Sequence, residues 1–243
     1  MISQIFKRIL RKISFKKLPE KIDIKNDEFL KWISFAIPGM TGGRNIESMG
    51  YAIKSLPSNS PIIEIGSFCG LSTIIISHFK SEFGKTNKLY TCDKWEFEGQ
   101  KLGNNIGKTD LSHDEYKKFV KESYIRNIQT FCKNNLPITI EIFSDVFFKM
   151  WENKQKTIDV LGRESSLGGP ISFVFVDGNH TYEFVKRDFE NVDKFLEKNG
   201  FVLFDDSSDY SHWQGSNKVM KEILKRKDYK LIARNPNYLF QKI

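Results

Sequence analysis

The chain has 243 residues, 40% of them hydrophobic, with three cysteines and a formal net charge of +8. One domain of this length buries roughly 70% of its unfolded surface, so disulfides are not required, and Cys69, Cys92 and Cys132, with no CxxC pair, suggest neither a disulfide framework nor a zinc knuckle. No apolar run approaches the ~20 residues of a membrane span, and the N-terminus lacks a signal peptide's apolar stretch and cleavage site, so a reducing cytoplasm is the expected compartment.

The positive charge is concentrated at one end. Residues 1–22 hold Lys7, Arg8, Arg11, Lys12, Lys16, Lys17 and Lys21 against Glu20, which is +6 of the total. A nucleic-acid groove needs its excess charge in the folded body, so a nucleic-acid partner is not expected. Ile2, Phe6, Ile9 and Ile13 recur at helical spacing among the basic residues and predict a basic amphipathic helix within residues 1–25, closed by Pro19. Such a helix packs on its own domain, contacts a second subunit in a homo-oligomer, or lies on anionic lipid at the inner membrane surface.

Residues 26–56 read as a helical lead-in interrupted by PGMTGG, Pro38 to Gly43. Residues 57–243 then alternate strand and helix: PIIEIG, a helix from Leu71, KLYTCD, a helix over Glu115 to Asn134, ITIEIFS, and a short helix near Val146. SFVFVD, a helix over Tyr182 to Lys198, FVLFDD, a helix over Lys218 to Lys227, and the pair YKLIAR and YLFQKI follow. Alternation of this kind predicts an α/β fold, a doubly wound, mostly parallel sheet. NPN, Asn235 to Asn237, is too short for a crossover, so the last two of the seven strands form an antiparallel hairpin. Two stretches, Lys94 to Leu111 and Thr157 to Pro170, read as irregular and are candidate lids or acceptor-binding inserts.

In an open parallel sheet, ligands bind beyond the carboxyl ends of the strands. There, EIGSFCGLS puts Glu64 at a strand end, Gly66 and Gly70 around the turn into a helix, and Ser67 and Ser72 beside them as further cofactor-binding candidates. Glycine lets the backbone approach a ligand, and the ExGxxxG spacing differs from the GxGxxG of dinucleotide oxidoreductases. Asp93, ending the second strand, is placed to accept from the ribose hydroxyls of a nucleoside; Ser144 and Asp145, after the third, either read a base edge or cap the next helix. Asp177 ends SFVFVD, and Asp205 and Asp206 end FVLFDD. Consecutive parallel strands would bring these three carboxylates to one edge, where a hard divalent cation such as Mg2+ relieves their repulsion. His180, three residues after Asp177, is a candidate general base, or a helix cap or partner of a metal ligand.

Together IIEIGSFCGLST, LYTCDKW, FVFVDGNHTYEFVKRDFE and GFVLFDDSS resemble the bacterial class I methyltransferases that include the macrocin and mycinamicin sugar O-methyltransferases. The resemblance covers Gly39 to Ile243. It implies a Rossmann-like methyltransferase domain over 57–243, S-adenosylmethionine as methyl donor, magnesium at Asp177, Asp205 and Asp206, and a sugar, glycan or small-metabolite hydroxyl as acceptor. The antibiotic-sugar enzymes carry an acid where this chain has Asn179, and an amide is no base; the role passes to His180 or to Asp177. The alternatives are a nucleic-acid methyltransferase, for which an NPPY-like motif is lacking, and a non-catalytic protein keeping the fold.

Overall fold

The computed structural model describes residues 15–97, 99 and 103–243. Two helices lead in: α1 (Glu28–Ala36) and α2 (Gly43–Lys54). Asp27 caps α1 by accepting the Leu30 N–H at 2.9 Å, and its other oxygen meets His78 Nε2 at 2.6 Å. The intervening residues 37–42, with Pro38, Gly39 and Gly42, are non-helical, as the breaker pattern predicts.

The sheet is built from β1 (Ile62–Ile65), β2 (Leu89–Cys92), β3 (Ile138–Ile140), β6 (Ile171–Val176), β7 (Leu196–Phe204), β8 (Tyr229–Arg234) and β9 (Tyr238–Lys242), in the order β3-β2-β1-β6-β7-β9-β8. The first five are parallel; β9 runs antiparallel to β7 and β8 antiparallel to β9. The chain runs outward from β1 to β2 and β3, then returns to β6 on its other side, so the topological switch lies between β1 and β6 and opens a crevice at their carboxyl ends.

Both faces of the sheet are covered, which is why its strands read as near-continuous apolar runs. Ile62, Phe173, Phe175, Phe201 and Leu203 pack under α1, α2, α3 (Leu71–Glu82) and α4 (His113–Phe131). Their neighbours Ile63, Ile65, Val174, Val176 and Val202 pack under α5 (Ser144–Glu152), α6 (Tyr182–Phe195) and α7 (Gln214–Ile223). Helix α4 starts at a capping box: Ser112 Oγ accepts from Glu115 N–H, and Glu115 Oε2 accepts from Ser112 N–H.

The structure departs from the sequence reading in four places. Thr157 to Pro170 is not irregular: β4 (Lys156–Ile158) and β5 (Glu164–Ser166) form a hairpin whose turn is held by buried Asp159, which accepts from the Leu161 and Arg163 N–H groups and the Arg163 guanidinium. Helix α6 stops at Phe195 because Leu196 already pairs with Ile171. Helix α7 begins at Gln214, earlier than its apolar spacing suggests, with Gly215 so close to the His180 carbonyl and the Tyr182 N–H that a Cβ would lie 2.7 and 2.4 Å from them. Residues 15–25 are non-helical, and Lys16 exchanges backbone hydrogen bonds with Arg234 on edge strand β8. Ile2, Phe6, Ile9 and Ile13 lie outside the described residues. Among those described, no helix is long and apolar enough to cross a membrane.

The core contains a costly lysine. Lys80, in the last turn of α3, is fully buried, and its Nζ has no hydrogen-bond partner among the described residues. Burial lowers its pKa from 10.5 to about 8. Below pH 8 its charge therefore costs roughly 3 kcal/mol, and stability rises with pH between 8 and 10.5, where the unfolded chain binds the extra proton. Lys80→Met is expected to raise the melting temperature at pH 7 by about 5–10 °C, with the gain shrinking toward pH 10.5; thermal melts across that range are the check.

Candidate functional site

The turn between β1 and α3 forms the floor of the crevice. Gly66 has φ +84°, and a Cβ there would lie 2.0 Å from the Asp177 carbonyl oxygen, so glycine is what lets the β1 and β6 ends meet. The Gly66 N–H donates to the Cys92 carbonyl at 3.0 Å, and Gly70, at φ +93°, caps α3. Asp93 secures the same turn from β2: Oδ2 accepts from the Ser67 and Phe68 N–H groups at 2.7 and 3.0 Å, and Oδ1 from the Trp95 N–H at 2.6 Å. Burial raises the Asp93 pKa, and those N–H bonds oppose the rise.

Glu64 lies beneath this turn with no exposed surface. One oxygen accepts from Thr73 Oγ1 and from Ser67 Oγ, the other has no hydrogen-bond partner among the described residues, and burial pushes its pKa from 4.5 to about 7. The folded state thus holds the Glu64 proton more tightly than the unfolded state, and stability falls as pH rises from 4.5 to 7. Glu64→Gln removes that cost. It is expected to be more stable than the wild type by roughly 2–3 kcal/mol at pH 8 and no more stable below pH 4.5, read by denaturant titration at the two pH values.

Above the turn is a cavity of about 410 Å3, bounded by Gly66, Ser67, Phe68, Ser72 and Asp93 on one side and by Asp177, Asn179 and His180 on the other. Pro38 to Thr41 and Phe97 complete its rim. Of the sequence-stated cofactor candidates, Gly66, Ser67, Ser72, Asp93 and Ser144 border this space. Glu64, Gly70 and Asp145 do not line it. Ser144 Oγ donates to the buried Asp188 carboxylate at 2.5 Å, and Asp145 turns to Arg187, 3.5 Å away. Ser144 is the first residue of α5 and Phe143 its N-cap, so neither Ser144 nor Asp145 is the cap.

At the β6–β7 edge the register Val176↔Phe204 sets Asp177 and Asp205 side by side at the ends of adjacent strands. Desolvation and then the Asp205 charge push the pKa of Asp177 well above its ordinary value; desolvation raises that of Asp205. Asp205 Oδ1 accepts from the side-chain amides of Asn45 and Asn237. Asp206, at φ +46°, turns to His180, whose Nε2 is 3.5 Å from Asp206 Oδ2 and 4.0 Å from Asp177 Oδ1. The Trp213 ring lies 5.2 Å from the His180 ring. Asn179 is occupied: its Oδ1 accepts from the Thr181 N–H at 2.8 Å.

The sequence reading did not single out Asn45 or Asn237 as site residues. They lie 160 and 32 residues from the aspartate they hold, in the lead-in helix and in the NPN turn, and no local pattern links them to it. Trp95 was equally silent; fully buried, it donates its indole N–H to the Phe68 carbonyl at 3.0 Å and stiffens the turn.

A family profile described as a methyltransferase domain matches residues 63–207. A curated relative, the uncharacterized protein R132 of Acanthamoeba polyphaga mimivirus, is 26% identical over 131 residues, 46% of this chain, and the match spans 58% of that protein's length. Among solved structures, the O-methyltransferase from Bacillus cereus in complex with SAH is similar in fold, with TM-score 0.54, 14% identity, and coverage of 91% of this chain and 93% of that one. The O-methyltransferase TomG from Streptomyces achromogenes in complex with SAM gives TM-score 0.50, 15% identity and coverage of 98% and 96%. The calicheamicin methyltransferase CalS11 gives 0.51, 15%, 99% and 91%. The profile match spans the Gly66 turn, Asp93 and all three acids of the β6–β7 edge, and the chain belongs to the methyltransferase-domain family.

Proposed function

We propose that this chain is an S-adenosylmethionine-dependent O-methyltransferase that acts on a hydroxyl of a sugar, glycan or small metabolite. The observation that carries the reading is the cavity itself, which runs from a glycine turn anchored by Asp93 to Asp177 and His180. In this reading the nucleoside of the donor lies over the Gly66–Phe68 turn, and the acceptor approaches from the Asp177 side. The new bond joins the acceptor oxygen to the methyl carbon as the carbon–sulfur bond breaks. His180 takes the hydroxyl proton, its imidazole oriented by Asp177, Asp206 and the Trp213 ring.

A divalent cation belongs to the same proposal. Asp177 and Asp205 stand half-buried beside each other, and among the described residues no lysine or arginine lies within 4.0 Å of the edge acids; the basic side chain beside them is the His180 imidazole. Hard carboxylate oxygens suit Mg2+. As placed, only Asp27, His78 and Glu82 among the described residues bring three ligand atoms within 4.8 Å of one another, so Asp177, Asp205 and Asp206 are not closed around a common point. They would hold the ion together, and it would lower the pKa of the acceptor hydroxyl.

The test follows S-adenosylhomocysteine formation over a panel of hydroxylated acceptors, with cofactor affinity measured separately by calorimetry. Chelation is expected to reduce turnover to background, and added Mg2+ to restore it, with cofactor affinity unchanged. Undiminished turnover in chelator would remove the cation from the proposal and leave His180; absence of cofactor binding would overturn the methyltransferase reading.

A further inference from the structure

A second cavity, about 350 Å3, shares no lining residue with the donor crevice, and Phe15, Arg44, Ser208, Tyr210 and Arg234 contribute to its wall. It is built on the loops that fix the edge acid: Arg44 and Pro236 immediately precede Asn45 and Asn237, the two amides on Asp205 Oδ1, and Ser208 follows two residues after Asp206.

Its charge is unbalanced. Asp209, its one carboxylate, is fully engaged: Oδ1 accepts from Asn217 at 3.0 Å and Tyr238 at 2.7 Å, and Oδ2 from Arg234 Nη1 at 3.0 Å. That pairing uses Nη1 of Arg234 and leaves its buried Nε without a hydrogen-bond partner among the described residues. Arg44 is exposed at the start of α2, stacks over the Phe15 ring at 5.2 Å, and forms no ion pair among the described residues. Glu47, one turn further on, accepts from Asn235. Two guanidinium groups with unused donors and one net positive charge face a space large enough for a small polar group.

We infer that this cavity is the acceptor subsite for an anionic group, phosphate or carboxylate, bound by Arg44 and Arg234, so that the acceptor is an anionic hydroxylated compound such as a sugar phosphate or sugar acid. The inference rests on the methyltransferase reading for the word acceptor; the anion site itself does not. Guanidinium groups present paired N–H donors that match the oxygens of either anion, and the cavity's lining residues Arg44 and Pro236 adjoin in sequence the two amides that hold the edge acid Asp205.

Calorimetry on the full chain saturated with S-adenosylhomocysteine, titrated with glucose, glucuronate and glucose 1-phosphate, tests it. At least one charged sugar is expected to bind about tenfold or more tightly than glucose, and which one does identifies the anion as carboxylate or phosphate. Arg44→Ala, an exposed position, is expected to remove most of that preference, and Arg234→Lys, which keeps charge but loses the paired donors, to reduce it, with S-adenosylhomocysteine affinity unchanged in both. Equal binding of all three sugars, or an undiminished preference in Arg44→Ala, overturns the inference. Titration of the unliganded chain with inorganic pyrophosphate separates the two ideas: if it binds in an Arg44-dependent way while S-adenosylhomocysteine does not bind, the anion site stands and the methyltransferase reading falls.

Discussion

Asp177→Asn and Asp205→Asn are each expected to lower the methyl-transfer rate by about 10^3-fold while raising the melting temperature measured in chelator. The two effects have one cause. Side by side at the ends of β6 and β7, the two carboxyl groups are half-buried; desolvation raises both pKa values, and a neighbouring carboxylate, Asp205 beside Asp177 and Asp206 beside Asp205, raises each further. An amide of the same shape removes one partly desolvated charge from beside another, so the fold gains. In the proposed reaction the same charge is a cation ligand beside the reacting hydroxyl. Losing about 4 kcal/mol of charge stabilisation there is a factor of about 10^3 in rate. Thermal melts and turnover on the same preparations decide it: a rate loss accompanied by a lower melting temperature would make the acids structural instead. Cofactor affinity is expected to stay within a few-fold, since the donor's nucleoside is assigned to the Gly66 turn.

Gly66→Ala is expected to cost about 4 kcal/mol of stability, the sum of roughly 1–3 kcal/mol for a left-handed backbone at a non-glycine residue and 1–3 kcal/mol for overpacking. The Cβ would meet a backbone carbonyl 2.0 Å away at Asp177, and no side-chain rotation relieves that. For a chain of this size the melting temperature should fall by about 8–16 °C. Moving the Asp177 carbonyl also tilts the edge on which Asp177 and His180 sit, so residual folded protein is expected to bind the cofactor weakly. Gly84→Ala is the control: its φ is also positive, +62°, but no atom lies within 4 Å of its Cβ position. A melting temperature for Gly66→Ala no lower than that control's would show that β1 and β6 can separate freely.

Much of this arrangement was legible in the chain because it depends on local periodicity and on strand ends. The runs IIEI and ISFVFV are buried on both faces and had to be central strands, so their terminal residues, Gly66 and Asp177, could be placed at the crevice without coordinates. The hairpin around Asn235–Asn237 followed from a connection too short to cross over. The β4–β5 hairpin was not legible. Its strands are three residues long, half-exposed and without an apolar alternation, and its turn depends on Asp159 meeting Arg163 in a buried setting.

The side-chain assignments show the same division. That Asp93 stands at a strand end was readable; that its oxygens already hold three N–H groups of neighbouring turns was not, because a hydrogen bond to a backbone 26 residues away leaves no trace in residue type. Sequence alone determined an α/β sheet with a glycine turn and three acids gathered at its carboxyl edge, since strand order and side-chain alternation follow from hydrophobic period. Only the tertiary structure decided which oxygens are spoken for, that Asn45 and Asn237 hold Asp205, and that Arg44 and Arg234 line one second cavity. Those depend on residues far apart in the chain meeting at fixed distances, and that is a property of packing rather than of pattern.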